Sequence, residues 1–524
     1  MAAEYPAARR VRSRPVPRRS RHGRVLAALV AAAALLYAAS SLLRLRAFQA
    51  STYDLVIFDQ ALRSYSRFGA PVAMVKGVHN GFGPDFSVLG DHFSPILAVL
   101  APLYWLHDGP ETLLVAQAVL FAAAAVPVWR YAARRSGPVS AHLAAGAYLL
   151  SWPVAEALAF DFHEVAFVPL LSALLVERYD AGRRGRAALA AVGLLMVKED
   201  MGLLLVGFGL FLLTRRGERR SGVAYVAAGA AATWAASRVL ISLFGGDNDY
   251  YWAYGSLGDG VADAAAHVLT HPWALVGAAV SPPVKLLTMA LLVVPLLLLP
   301  LRSPLTLTAL PPLAERMLAD RFPNWWEPGY HYNAFIVAVL VMAAVDGAHR
   351  LRGTGVRRLV RPVAALRRVR PVAALLRSRA VAVPHGSRAW RAVRPHRSAA
   401  ALLAGSVATV PFFAFGDLAD ARLYRLDERQ RAASAAVAAV PDGVLVETAN
   451  HLGPALSART RVLLWDRQPR RAPWVVADTG RRTFPFVSVE EQRARVAHLV
   501  AEGYRPVFRR AGYIVLTRET ATPR

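Results

Sequence analysis

The stretch VLAALVAAAALLYAASSLL, residues 25–43, carries no charged side chain. At 1.5 Å per residue it matches the thickness of a bilayer's hydrocarbon core. Residues 222–244, GVAYVAAGAAATWAASRVLISLF, are broken only by Arg238, and residues 286–301, LLTMALLVVPLLLLPL, carry no charge at all. A chain of 524 residues that is 55% hydrophobic could be several soluble domains or one polytopic membrane unit. These runs decide for the membrane. The first run is read as a retained anchor rather than a cleaved leader.

The formal charge is +27, which at first sight points to nucleic acid. Its distribution excludes that partner. The arginines cluster between the apolar runs, at 9–24, 130–135, 178–186, 215–220 and 350–397. Such patterning marks cytoplasmic segments that also meet anionic lipid headgroups. With no cysteine there is neither a disulfide nor a thiolate ligand. Only three basic residues are lysines, Lys76, Lys198 and Lys285, and all three fall on the outer side of the topology that follows. A lysine supplies a compact point charge where arginine supplies a planar fork.

The fold class expected is a polytopic α-helical membrane protein of about 11 membrane segments with a small extracytoplasmic α/β domain at its C-terminal end. Residues 1–24 are a basic cytoplasmic arm. Residues 25–349 form the transmembrane core, with a large first outer loop at 44–92. In that loop 54–68 reads as a helix on the membrane surface, with Leu55, Phe58, Leu62 and Tyr65 spaced for one apolar face. Residues 93–106 are apolar but short and hold two prolines, which places them at the interface. Spans follow at 112–132 and 139–158, and a fourth starts at 160. The run 187–213 carries Lys198, Glu199 and Asp200 at its middle. A straight helix would bury three charges at roughly 3 kcal/mol each, so two short helices meeting at an outward turn are expected.

Loop 245–283 holds Asp247, Asp249, Tyr250, Tyr251 and Trp252, and loop 320–332 holds Trp325, Trp326, His331 and Tyr332. Residues 350–397 contain fourteen arginines, no acid and the repeat VRPVAAL at 360–366 and 369–375. They read as a cytoplasmic, lipid-touching insert. A final span at 398–418 leads out to 419–524, where short apolar runs at 444–446, 462–465, 474–477 and 513–516 alternate with helical patterns. The N-terminus is then cytoplasmic and the C-terminus extracytoplasmic.

Four motifs set acidic and histidine residues against this apolar background: YDLVIFDQ at 53–60, GDHFSP at 90–95, FDFHE at 160–164 and KED at 198–200. Together with LGDHFSPILAVLAPLYWL at 89–106 and LLMVKED at 194–200, they resemble the bacterial membrane-protein family catalogued as domain of unknown function 2079. That family is similar to the GT-C glycosyltransferase superfamily. The resemblance covers about residues 50–345 and extends to a compatible outer tail. The arginine-rich insert is not part of it.

The resemblance implies a bacterial plasma-membrane enzyme that uses a polyprenyl-phosphate sugar on the outer face. Asp54 is then the base for the acceptor hydroxyl, with Asp161 beside it as a second catalytic carboxylate. Lys198 is the partner of the donor phosphate. The other substrate-binding candidates are Asp59, Asp91, His92, His163, Glu164, Lys285, Arg321, His331 and Tyr332. Arg316 is a further cation near the last outer loop.

Each has a plain structural alternative. Asp54 could cap the surface helix. Asp59, five residues on, points away from it and supports or is solvated. Asp91 could open a helix with His92 satisfied by it. Lys198 could be neutralised by Glu199 or Asp200, Lys285 could snorkel, and the aromatics could anchor the interface. Asp161 and Glu164 share a face if the segment is helical, with His163 elsewhere. A divalent cation held by Asp54, Asp91, Asp161 and Glu164 is left open, because no spacing is diagnostic. The partners are lipid, a lipid-linked sugar donor and an unnamed acceptor. A transporter or flippase, and a non-catalytic scaffold, stay as alternatives. The first would line a path through the bilayer with charge or show paired repeats, and only one broken helix is visible.

Overall fold

The computed structural model of the protein describes residues 21–246, 252–353 and 396–518. Residues 1–20, the loop residues Asp247, Asp249, Tyr250 and Tyr251, and 354–395 of the arginine-rich insert lie outside the described residues.

The molecule is mostly helical. Among the described residues four helices are long and apolar enough to cross a membrane: Arg21–Arg46, Glu111–Leu149, Arg219–Leu243 and His331–Leu351. The pair Trp273–Val280 and Val284–Val293, bent by 82°, makes a fifth if taken as one span. The uncharged first run forms Arg21–Arg46, most of which faces outward. By contrast residues 334–345 of His331–Leu351 are apolar on all sides and buried at the centre of the bundle, as an all-round apolar stretch must be. Gly137, at φ 77°, and Pro138 break Glu111–Leu149 about two thirds of the way along. A glycine is needed there because a side chain is strained at that angle.

The expected break in 187–213 is present. Helices Arg184–Leu195 and Gly202–Leu213 meet at a short 3-10 turn, Glu199–Met201. The second helix lies against Arg219–Ala235 at very short range. A Cβ built on Gly202 would come within 2.2 Å of the Gly229 carbonyl oxygen, and one on Gly209 within 2.6 Å of that of Gly222. Small residues let the two backbones touch.

One expectation needs correcting. The first-loop helix does not lie open on a surface. It starts as a π-helical turn, Thr52–Val56, and continues as Ile57–Ser66. Leu55, Phe58 and Leu62 are buried as expected, but so is Asp59 on the face expected to be polar. The segment Pro95–Trp105 covers that face, and the Tyr104 hydroxyl donates to Asp59 at 2.9 Å.

The C-terminal unit is a five-stranded sheet. Its strands are β1 (Leu445–Thr448), β2 (Arg461–Leu464), β3 (Trp474–Asp478), β4 (Arg505–Arg510) and β5 (Tyr513–Thr517), in the order β2-β1-β3-β5-β4. The first three are parallel, with Val446 level with Val462 and with Trp474. Strand β5 runs antiparallel to β3 and to β4. Strands β4 and β5 turn at Ala511 and Gly512, both at positive φ, as a two-residue hairpin requires. Helices Glu428–Ala438 and Val489–Ala501 complete the domain, and a capping box between Asp427 and Gln430 fixes the start of the first.

Charged side chains form two layers at opposite ends of the same helices. At one end Arg134 pairs with Glu177 at 2.6 Å, Arg135 with Asp180 at 2.7 Å and Arg350 with Asp346 at 2.7 Å. At the other end lie Asp161, His163, Glu164, His331 and Tyr332. Glu164 precedes helix Val168–Asp180, whose C-terminal turn holds Glu177. The layers are therefore about 20 Å apart along the axis.

Candidate active site

Ser51 occupies the cap position of the Asp54 turn, so Asp54 is not the cap. Ser51 does not use its side chain for capping either. Its hydroxyl lies 2.8 Å from Asp54 Oδ2 and 2.7 Å from Asp161 Oδ2, and its N–H donates to the latter at 2.7 Å. A hydroxyl has one proton to give, so a proton on Asp161 is what completes the second bond. The other oxygen of Asp54 lies 3.5 Å from His163 Nε2.

Residues 160–163 are extended rather than helical, and a 3-10 turn begins only at Glu164. In extended chain the side chains alternate, so Asp161 and His163 point the same way and Glu164 takes another direction. The helical reading had paired Asp161 with Glu164.

From His163 a stack of rings crosses the site. His163 lies on His331 with centroids 4.0 Å apart, and His331 on Tyr332 at 4.2 Å. The ammonium of Lys198 stands 5.9 Å from the Tyr332 ring. Lys198 is extended at the helix break and only 8% exposed. No carboxylate lies within 4 Å of its ammonium among the described residues. Glu199 accepts from His92 Nδ1 at 2.9 Å and from the Phe93 N–H at 3.2 Å, and its charge acts on Lys198 together with those of Asp200 and Glu164. Asp54, Glu164 and Asp200 also act electrostatically on the Tyr332 hydroxyl, so the Asp54 end and the Lys198 end share one field.

The two carboxyls are set apart in acidity. Burial raises Asp161, and the charge of Asp54 raises it further, to about 7. Burial also acts against an ionised Asp54, but the hydrogen bond and charge of His163, with Ser51 and Lys76, outweigh it and hold that carboxyl below its ordinary value. His163 is raised: burial opposes its charged form, and Asp54 more than compensates. Asp54 also stays the more open of the pair, with 31% of its side chain accessible.

Several buried polar atoms here have no hydrogen-bond partner among the described residues: Glu164 Oε2, Asp200 Oδ1, Arg316 Nη2 and His331 Nδ1. Arg316 spends its other nitrogens on the Pro312 carbonyl and Asn333 Oδ1, both at 3.2 Å. Each such atom costs about 1–3 kcal/mol, and a group of them in a folded protein needs a specific explanation. The layer at the far end of the helices is tied by ion pairs, whereas in this layer these four atoms are left without a hydrogen bond among the described residues.

The structure therefore brings together Asp54, Asp161, His92, His163, Glu164, Lys198, His331 and Tyr332. Four other candidates fall outside the group. Asp91 pairs with Lys76 at 2.9 Å and braces the loop before His92. Asp59 is neither solvated nor in the group, because Arg63 at 2.9 Å and Tyr104 hold it in the core. Lys285 does not snorkel. It is fully buried, donates to the Ala278 and Ala319 carbonyls at 2.7 Å, and faces the Trp326 ring at 4.4 Å. Arg321 is exposed beside the Phe322 ring. The carboxylate set offered for a cation is split by the Lys76–Asp91 pair, and among the described residues no group of three or more His, Asp or Glu is placed to hold a metal. Ser51 and Asp200 belong to the site without having been singled out for it. Ser51 carried no signal in the sequence, and Asp200 stood beside Lys198 as a neutralising partner only.

Solved structures are similar to this chain over most of its length. ArnT from Cupriavidus metallidurans bound to undecaprenyl phosphate superposes with a TM-score of 0.53 at 14% identity, covering 96% of this chain and 100% of its own. The apo state of the same protein gives 0.49 at 13% identity, covering 94% and 98%. No curated protein matches the chain in sequence. A family model described as "Predicted membrane protein (DUF2079)" matches residues 44–515. The chain therefore belongs to the DUF2079 family of membrane proteins, and its fold resembles that of ArnT.

Proposed function

We propose that the protein is an integral-membrane glycosyltransferase that takes a sugar from a polyprenyl-phosphate donor at the outer face of the plasma membrane. Asp54, ionised and the more open carboxylate, removes the proton of the acceptor hydroxyl as that oxygen attacks the anomeric carbon. The bond from that carbon to the donor phosphate oxygen breaks, and Lys198 meets the charge left on the phosphate. Asp161 and Ser51 orient Asp54, while His163 balances its charge. His92, Glu164, His331 and Tyr332 line the space between the two ends.

The observation that carries this reading is Lys198. A desolvated ammonium with no carboxylate within 4 Å, at one end of a ring stack that begins at a catalytic-type carboxylate, is what a phosphate leaving group requires. The fold shared with a protein solved with undecaprenyl phosphate supports the donor class. The topology proposed with it keeps about 11 membrane segments, on the argument that arginine-rich loops stay inside. The N-terminus is then cytoplasmic, and both the site and the 419–524 domain are outside. The charges gather in two layers rather than along a path, which favours a transferase over a transporter.

The test is the purified protein in lipid nanodiscs, offered polyprenyl-phosphate sugars and assayed for release of polyprenyl phosphate. Turnover that is the same in wild type, Asp54→Asn and Lys198→Ala would remove this mechanism.

A further inference from the structure

The turn that carries Asp54 has an unusual debt. The first N–H groups of a helix have no partner within it and are normally satisfied by the cap residue. Here the cap residue is Ser51, and its hydroxyl is committed to the two carboxyls. The missing acceptors come from the C-terminal domain. The Asn450 main-chain carbonyl accepts from the N–H of Thr52 and, at 2.6 Å, from its hydroxyl. The Asn450 side-chain oxygen accepts from the Tyr53 N–H at 2.9 Å. One residue thus offers two acceptors to two consecutive amides, from 398 positions away in sequence.

We infer that Asn450 is a positioning residue for Asp54, and that the C-terminal α/β domain is part of the catalytic unit rather than an appended module. Asn450 lies two residues beyond β1, and its loop is pinned by the Ala449 N–H, which donates to the Val476 carbonyl at 2.8 Å. Gly453 closes the contact from the same loop: a Cβ there would fall 2.2 Å from Thr52 Oγ1. Thr52 itself is fully buried. The neighbouring strand makes the same kind of contact. His79 meets Asp466, just after β2, at 2.6 Å, and Gln60 donates to the Val462 carbonyl at 3.0 Å. In parallel sheets this end of the strands is where ligands are usually received. In this protein it receives the Asp54 loop. Asp54 lies two residues beyond Thr52, so movement of that turn displaces the carboxylate directly. An error of about 1 Å in a base costs about 100-fold in rate.

The role in turnover rests on the transferase reading; the capping contact does not. The experiment therefore has two arms on the full chain in nanodiscs. The first is amide hydrogen exchange of the peptide covering 50–57. Asn450→Ala, which keeps the main-chain carbonyl and loses the side-chain acceptor, is expected to speed exchange there about ten-fold. Peptides from β3 and β5 should be unchanged. Asn450→Asp, which retains an acceptor, should restore protection, and Gly453→Ala should reproduce the loss by pushing Thr52 away. The second arm is turnover of a polyprenyl-phosphate sugar, where Asn450→Ala should lower kcat at least ten-fold with KM for the donor unchanged.

Unchanged exchange at 50–57 in both Asn450→Ala and Gly453→Ala overturns the inference, whatever the reaction. Faster exchange with unchanged kcat overturns the positioning role. A rise in KM alone does the same, because it would place Asn450 in donor binding. Wild-type protein that turns over no donor removes the transferase reading, while the exchange arm still decides whether Asn450 holds the turn.

Discussion

Replacing Asp161 by asparagine isolates the physical oddity of the site, two carboxyls sharing one hydroxyl. The amide keeps an oxygen for the Ser51 N–H, and the Ser51 hydroxyl keeps its bond to Asp54, so the turn stays in place. The ability to ionise is lost, and with it the proton that Asp161 gives to Ser51 Oγ. In the folded protein Asp161 is raised to about 7 from an ordinary value of 3.8. A raised carboxyl contributes to stability while it is protonated. That contribution is complete below about 3.8 and is lost as pH climbs through about 7. The gap between the two values corresponds to at most about 4 kcal/mol at 1.36 kcal/mol per tenfold. Dielectric relaxation around the partly open Asp54 leaves a fraction of this, about 1–2 kcal/mol. Thermal unfolding in nanodiscs at pH 4 and pH 8 reads the effect. Asp161→Asn should melt close to wild type at pH 4, where the contribution is nearly complete, and above it at pH 8. A difference in melting temperature that does not change with pH, or that grows toward acid, would refute the coupling argued here.

Asp54→Asn should melt close to wild type and lose about 10²–10⁴ of kcat, the usual contribution of a general base, measured as polyprenyl phosphate released. Lys198→Ala should lose about 10²–10³ of kcat, and Lys198→Arg should recover only part of it, because a planar fork does not fit a site shaped round a point charge. Lys285→Ala should leave the turnover of folded protein intact and destabilise it by about 3 kcal/mol, since the Ala278 and Ala319 carbonyls lose their donor; a melting curve and a specific-activity assay check both halves.

The membrane character, the break at Lys198, the buried Leu55–Phe58–Leu62 face and most of the C-terminal strands were readable from the amino-acid order. Each follows from a local rule: uncharged runs match a bilayer, charge within such a run forces a turn, and short apolar runs alternate with helices. Strand β4 was not readable, because RPVFRR is an exposed edge strand whose arginines and proline protect it from pairing and hide its pattern. Asp59 and Lys285 were placed among the ligand-binding residues because a charge in an apolar context looks functional in one dimension. Tyr104 reaches Asp59 from 45 positions away and the Ala319 carbonyl reaches Lys285 from 34, and these partners turn both into braces. Asn450 carries no signal of its own along the chain, and only the fold lays it on Thr52 and Tyr53. Local sequence governs burial and helix breaks because these depend on neighbours along the chain. Which carboxylate meets which histidine depends on how helices and the sheet pack, and that is settled by contacts between residues more than a hundred positions apart.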